Sequence, residues 1–279
     1  MNYLAVGGDA VEAKVSSFDT LNGSPGERSY THVGFRPDAL LLFGAPSFFG
    51  PLEAPFGFAD AARDQFAMSV ASRDTGVNPT NTARYRRTDR CFASLDPAYA
   101  VIQVVSEASF VSMDSTGFTL NWTTAEWGPG PLISVAIRGV SAKVGSITEE
   151  MYGGDVAYTG AGFQPRGALF IGFNHQASST AVDSNRFTIG VVGQDGGESS
   201  IWVSDQDNIA DDTHTDQGTY DDYCYFGENS GKSPPPVFET AATSTSATST
   251  APPATWCPAP ANGRGTATPT CRPKSKRWR

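Results

Sequence analysis

Apolar positions along the chain come in short runs broken by Gly, Pro, Asn and Asp, and none sustains the i, i+3, i+4, i+7 spacing of an amphipathic helix. Phe118, Leu120 and Trp122 alternate with Thr119 and Asn121, which places the three large side chains on one face of a strand. Residues 100–105 and 110–113 read as strand ahead of them, and Asp114-Ser115-Thr116-Gly117 as the turn between. Ala39-Leu40-Leu41-Leu42-Phe43 and Ala168-Leu169-Phe170-Ile171 are continuous apolar runs, the mark of strands buried on both sides. The pattern predicts an all-β protein and excludes helical and α/β folds.

The pattern also repeats. Gly34-Phe35-Arg36-Pro37 and Gly162-Phe163-Gln164-Pro165 are matching turns that each feed one of those apolar runs. Phe66-Ala67-Met68-Ser69-Val70-Ala71, followed by Arg73-Asp74-Thr75-Gly76, answers Phe187-Thr188-Ile189-Gly190-Val191-Val192, followed by Gln194-Asp195-Gly196-Gly197. Asp89-Arg90-Cys91-Phe92 answers Asp222-Tyr223-Cys224-Tyr225. A period this long is that of a domain, not of a solenoid. The expected organisation is two tandem antiparallel β-sandwich, jelly-roll-like domains, 1–139 and an incomplete 140–232, and then a tail, 233–279.

Two stretches fit the repeat poorly. Residues 3–17 resemble residues 134–146, which close the first repeat, so the opening strand either pairs within the first domain or belongs to an array that begins earlier. After about residue 232, Pro234-Pro235-Pro236 and a Thr/Ser/Ala/Pro-rich stretch stand where the second repeat should finish. Two readings are open. One is a disordered low-complexity linker. The other is a frameshift: Thr, Ser and Ala codons read one base out of register encode polar, apolar and small residues. With G or T at the third codon positions, Thr243-Ser244-Thr245-Ser246-Ala247-Thr248-Ser249-Thr250-Ala251 then spells Asp-Val-Asp-Phe-Gly-Asp-Phe-Asp-Gly, a strand and turn where the repeat places Phe110 to Gly117.

Charge separates the tail from the rest. The chain carries −9, but residues 1–231 hold 13 basic and 28 acidic residues while residues 232–279 hold 7 and 1. An acidic body repels phosphate, so no nucleic-acid partner is expected for it. No run is long and apolar enough to span a bilayer as a helix, and residues 1–9 lack the basic flank of a signal peptide.

Candidate chemistry is sparse. His32, His175 and His214 sit in no ligand or nucleophile spacing, and His175 has no counterpart in the first repeat. Gly227-Glu228-Asn229-Ser230-Gly231-Lys232-Ser233 has three residues between its glycines where a phosphate loop needs four. Cys91 and Cys224, at equivalent positions, read as buried free thiols. Asp205, Asp207, Asp211 and Asp212 gather oxygen ligands of the kind Ca²⁺ takes, although the EF-hand pattern fails and a solvated acidic loop is the plainer reading. No other cofactor is expected. Trp202, Tyr220, Tyr223 and Trp127 could stack on sugar rings, against the plainer reading of strand aromatics as core. Asn121-Trp122-Thr123 is a formal glycosylation sequon. Arg84, Arg86, Arg87 and Arg90 form a basic patch that reads as a contact surface for an acidic neighbour.

The Gly34-Phe35-Arg36-Pro37 and Gly162-Phe163-Gln164-Pro165 turns, with Met113-Asp114-Ser115-Thr116-Gly117-Phe118, resemble the repeated β-sandwich domains of tailed-bacteriophage virion proteins: tail fibres, minor tail proteins and decoration proteins. The resemblance covers about residues 1–230 and transfers no catalytic residue. It implies a non-enzymatic structural protein of the virion, assembled in the host cytoplasm. Its expected partners are other virion proteins, further copies of itself and a host-surface glycan. The alternatives are a bacterial carbohydrate-binding module or adhesin and, third, a sandwich-fold glycan hydrolase or lyase.

Overall fold

The computed structural model describes residues 9–20, 23–44, 52–73, 81–96, 103–125, 130–147, 157–173, 182–183, 185–205, 215–221, 224, 226–227, 231–232 and 237–238. Its first strands are β1 (Glu12–Asp19), β2 (Gly26–Tyr30), β3 (Ala39–Gly44), β4 (Leu52–Asp60), β5 (Gln65–Arg73), β6 (Asn81–Arg87), β7 (Phe92–Asp96), β8 (Gln103–Asp114), β9 (Gly117–Ala125) and β10 (Pro131–Arg138). They are followed by β11 (Ala157–Tyr158), β12 (Gly167–Phe173), β13 (Val182–Asp183), β14 (Asn185–Gly193), β15 (Glu198–Asp205), β16 (Thr215–Tyr220), β17 (Phe226–Gly227), β18 (Gly231–Lys232) and β19 (Val237–Phe238). The described residues contain no helix, so the all-β expectation holds.

A large antiparallel sheet runs β1-β10-β3-β4-β5-β6-β13, and a facing sheet runs β2-β9-β8-β7. Between them lies the main core. Leu40, Leu42, Ala59, Leu132 and Ala136 from the large sheet meet Phe92, Ala108, Phe110, Phe118, Leu120 and Trp122 from the facing one. As the alternation predicts, Phe118, Leu120 and Trp122 share that face, and the turn before them is Ser115-Thr116. Burying that many large apolar side chains is the dominant favourable term in such a sandwich-like arrangement.

A second layer explains β5. Its Ala67 and Ala71 face the Ala93 and Leu95 side, while Phe66, Met68 and Val70 pack on the opposite face against Phe187, Ile171, Phe173 and Ile189. Those last residues belong to a further sheet, β12-β14-β15-β16. β5 is therefore buried on both faces, its residues 66–71 all buried, and so is β7 from Phe92 to Leu95. In β3 only Leu40 and Leu42 are, and β12 is half-buried.

Backbone pairing repeats with a fixed offset. Gly57 stands opposite Ala67, and Gly190 opposite Ser200; Ser69 opposite Tyr85, and Trp202 opposite Gly218. Each second pair lies 133 residues beyond the first, as Cys224 does beyond Cys91. Arg63 N–H bonds Asp60 O as Gly196 N–H bonds Gly193 O, and Asp60 N–H bonds Asp64 O as Gly193 N–H bonds Gly197 O. Arg63 and Gly196 hold the same left-handed conformation, φ 72° and 82°. The repeated hairpin is thus β4–β5 against β14–β15. Phe66 to Ala71 and Phe187 to Val192, matched by their apolar runs, are therefore one strand out. Alternating apolar strands look alike, and only the turn tells them apart.

The opening strand pairs within the first repeat: β1 lies along β10, with Val15 opposite Val135. After β10 the chain is pinned. Asp38 Oδ2 accepts from Gly139 N–H (2.7 Å) and Val140 N–H (3.3 Å), Asp60 Oδ2 accepts from Val144 N–H (2.8 Å), and Lys143 pairs with Asp64. Of the tail, only Val237–Phe238 is described, as a short parallel ladder with β11.

Candidate functional site

The densest chemistry in the described residues is a polar seam between the large and facing sheets. Strand alternation turns Glu53, Gly57 and Ala59 of β4 inward, together with Ala67, Ser69 and Ala71 of β5 and Ala83, Tyr85 and Arg87 of β6. The small alanines leave room for polar side chains in the middle of a core. Glu53 is 8% exposed; its Oε1 accepts from Ser69 Oγ–H (3.1 Å) and Leu95 N–H (2.6 Å). Burial away from water penalises the carboxylate and pushes Glu53 up to about 7, with those hydrogen bonds opposing the rise.

Glu107 of β8 occupies the other end. It accepts from Tyr85 Oη–H at 2.8 Å, Arg90 Nε–H at 2.9 Å and Thr123 Oγ1–H at 3.1 Å, and Arg87 Nη1 lies 3.9 Å away. Arg87 binds Asp89 through both Nε and Nη2 at 2.6 Å, a two-pronged contact that holds Asp89 down at about 2. Burial raises Tyr85, and its bond to Glu107 adds to the rise.

Two of the four arginines of the basic patch read from sequence belong to this seam. Arg87 and Arg90 meet Asp89 and Glu107 of the same chain, whereas Arg86, on the opposite face of β6, lies 5.4 Å over the Phe66 ring. For Arg87 and Arg90 the acidic neighbour is internal. Neither buried glutamate stood out in the sequence. Each stands at an inward position of a strand whose other acid is its last residue, Asp60 or Asp114, and that is the signal that finds it.

Glu53 Oε1 and both carboxylate oxygens of Glu107 accept from donors of the same chain, so the arrangement orders the two sheets against each other. A shallow depression elsewhere is lined by Arg166, Gly193, Gln194 and Asp195 and coincides with the β14–β15 turn.

The sequence candidates fall as follows. Trp202 lies on β15, half-buried, with its indole over Gly218; a Cβ at Gly218 would come within 2.5 Å of Trp202 Nε1. Tyr220 ends β16 opposite Ser200, and Asp205 ends β15 opposite Thr215. Trp127, Tyr223, Asp207, Asp211 and Asp212 lie outside the described residues, as do His175 and His214. Among the described residues no three His, Cys, Asp or Glu side chains are grouped to hold a metal. His32 sits beside Phe18, Tyr30 and Phe118, and partial burial, then Lys14, lowers its pKa.

Cys91 and Cys224 are both free and buried, and burial pushes Cys224 up to about 12 and Cys91 higher still. Within the glycine-rich stretch, residues 226–227 and 231–232 form a small antiparallel ladder. Asn121 of the sequon is paired on both sides, to Glu27 and to Ser109. No helix among the described residues is long and apolar enough to cross a membrane. No protein-family model, curated protein or solved structure matches the chain.

Proposed function

We propose that this chain is a non-enzymatic structural protein of a tailed-phage virion, built as two tandem β-sandwich domains and carried in the tail, fibre or capsid surface. The observation that supports the reading is the duplication itself. Two β-sheet units keep one backbone register over four strands and bury equivalent faces against each other, Phe56 stacking on Phe187 at 5.3 Å. Such construction yields a stiff block rather than a cleft, and its polar side chains are spent on internal order. A rigid scaffold that presents loops at its ends suits assembly.

The test is protein mass spectrometry of virions from the phage or prophage that encodes the chain. The expected outcome is recovery of this chain with the particles, at a fixed ratio to the major virion proteins. Its absence from washed particles would overturn the reading. A glycan array on the purified chain separates the alternative: a sugar-specific signal lost in Trp202→Ala would favour a carbohydrate-binding module.

A further inference from the structure

The outer face of the large sheet continues past the part that β12–β16 covers. Phe18 packs into the main core, so Lys14 and Ser16 share its inward side while Ala13, Val15 and Ser17 point outward. Their partners across the ladder, Ile137, Val135 and Ile133, share that outward side. Phe43 and Leu41 extend it along β3, and Phe43 meets Phe56 edge-on at 5.5 Å. Phe56 in turn stacks on Phe187. One apolar surface therefore runs from the covered β4–β5 region to the β1 edge, where Val15 is 65% exposed and Ile133 45% exposed.

We propose that this shelf is the contact surface of a homodimer, in which a second copy lays its own β1–β10–β3 face against it about a two-fold axis. Continuity with the intrachain interface supports a second copy as occupant. Beyond Phe56 the shelf's own sheet face is already covered by its repeat counterpart, since Phe56 and Ile189 are equivalent positions on the two sheets. Like packs on like within the chain, and a second copy extends the same mode. Charge points the same way. The chain carries −9, so copies repel, yet Ala13, Val15, Ser17, Ile133, Val135, Leu41 and Phe43 are uncharged and Glu12, Lys14 and Arg138 turn to the other side. Small Ala13 and Ser17 let two sheets approach to the usual spacing of about 10 Å. The inference is independent of the virion reading.

The experiment is sedimentation equilibrium of the full chain from about 1 to about 100 µM, a range in which a contact of modest area associates. The expected result is a monomer–dimer equilibrium whose Kd rises at least about tenfold in Val15→Asp and in Ile133→Asp, each placing an unpaired carboxylate in the contact. Circular dichroism, and melting measured well below the wild-type Kd, should stay unchanged, because both sites are exposed. Ser17→Arg provides a second route should either variant melt early. A wild-type chain that is monomeric throughout, or a dimer that survives all three substitutions, would overturn the proposal.

Discussion

The β4–β5–β6 region and the β14–β15–β16 region are one backbone written with two sets of side chains. Register, hairpin turn and the approach of the cysteine carbonyl to a glycine are shared. A Cβ on Gly57 would lie 1.6 Å from Cys91 O, and one on Gly190 1.5 Å from Cys224 O. The side chains around that frame differ. Ser69 faces Tyr85 in the first region, whereas Trp202 faces Gly218 in the second, so the large side chain has changed strands while the pair's bulk is retained. Asp60 and Asp64, which hold the segment after β10, become Gly193 and Gly197. The residues of the polar seam are not repeated, since Glu53, Arg87 and Arg90 correspond to Arg186, Tyr220 and Tyr223. What the duplication keeps is steric necessity, and what it varies is polar chemistry.

The largest test is whether the glycine contacts are equivalent. Gly57→Ala and Gly190→Ala each push a methyl group into backbone that no rotamer change can clear, and each should cost more than about 4 kcal/mol in urea unfolding. A mild effect at one site and a severe one at the other would break the equivalence. Next comes the seam. Glu107→Ala strips Arg87 and Arg90 of a buried partner and should cost about 3 kcal/mol, whereas Glu107→Gln, which keeps the acceptor for Tyr85, should cost less.

A third prediction concerns pH. The Glu53 pKa is raised from 4.5 to about 7 in the folded chain, so between these values the folded state holds the extra proton. Its contribution is fully present below pH 4.5 and is lost as pH rises through 7, by about 3 kcal/mol in all. Subtracting the stability profile of Glu53→Gln from that of the wild type should expose this slope. A flat difference from pH 4 to 8 would refute it. The smallest effect is reciprocal. Arg63→Gly relieves a left-handed non-glycine residue and should stabilise by about 0.5 kcal/mol, and Gly196→Arg should destabilise by about as much.

Fold class was legible in the sequence because period-two alternation is strong at Phe118, Leu120 and Trp122. The repeat was legible through its Gly-Phe-x-Pro turns. Its alignment slipped because Phe66 to Ala71 and Phe187 to Val192 have similar apolar runs, although one is the strand after the turn and the other the strand before it. Gly57 and Gly190 carried the correct match, but a glycine's close contact with a distant carbonyl leaves no trace in local pattern. The seam was invisible for a related reason. Tyr85, Arg90, Glu107 and Thr123 meet only when two sheets close, so their adjacency is written in topology. The four arginines stand out as a run, but the partners of Arg87 and Arg90, Asp89 beside them and Glu107 on another sheet, cannot be read from it.

The Asp38 and Asp60 clasp gives the first repeat a mechanical property. A pull arriving from the C-terminal side meets Gly139, Val140 and Val144 before it meets β10. Those three amides and the Lys143–Asp64 pair must let go before the strand can slide between β1 and β3. The clasp adds to the force that the two ladders of β10 would resist by themselves, and it makes Asp38 and Asp60 the anchors where load enters the first repeat.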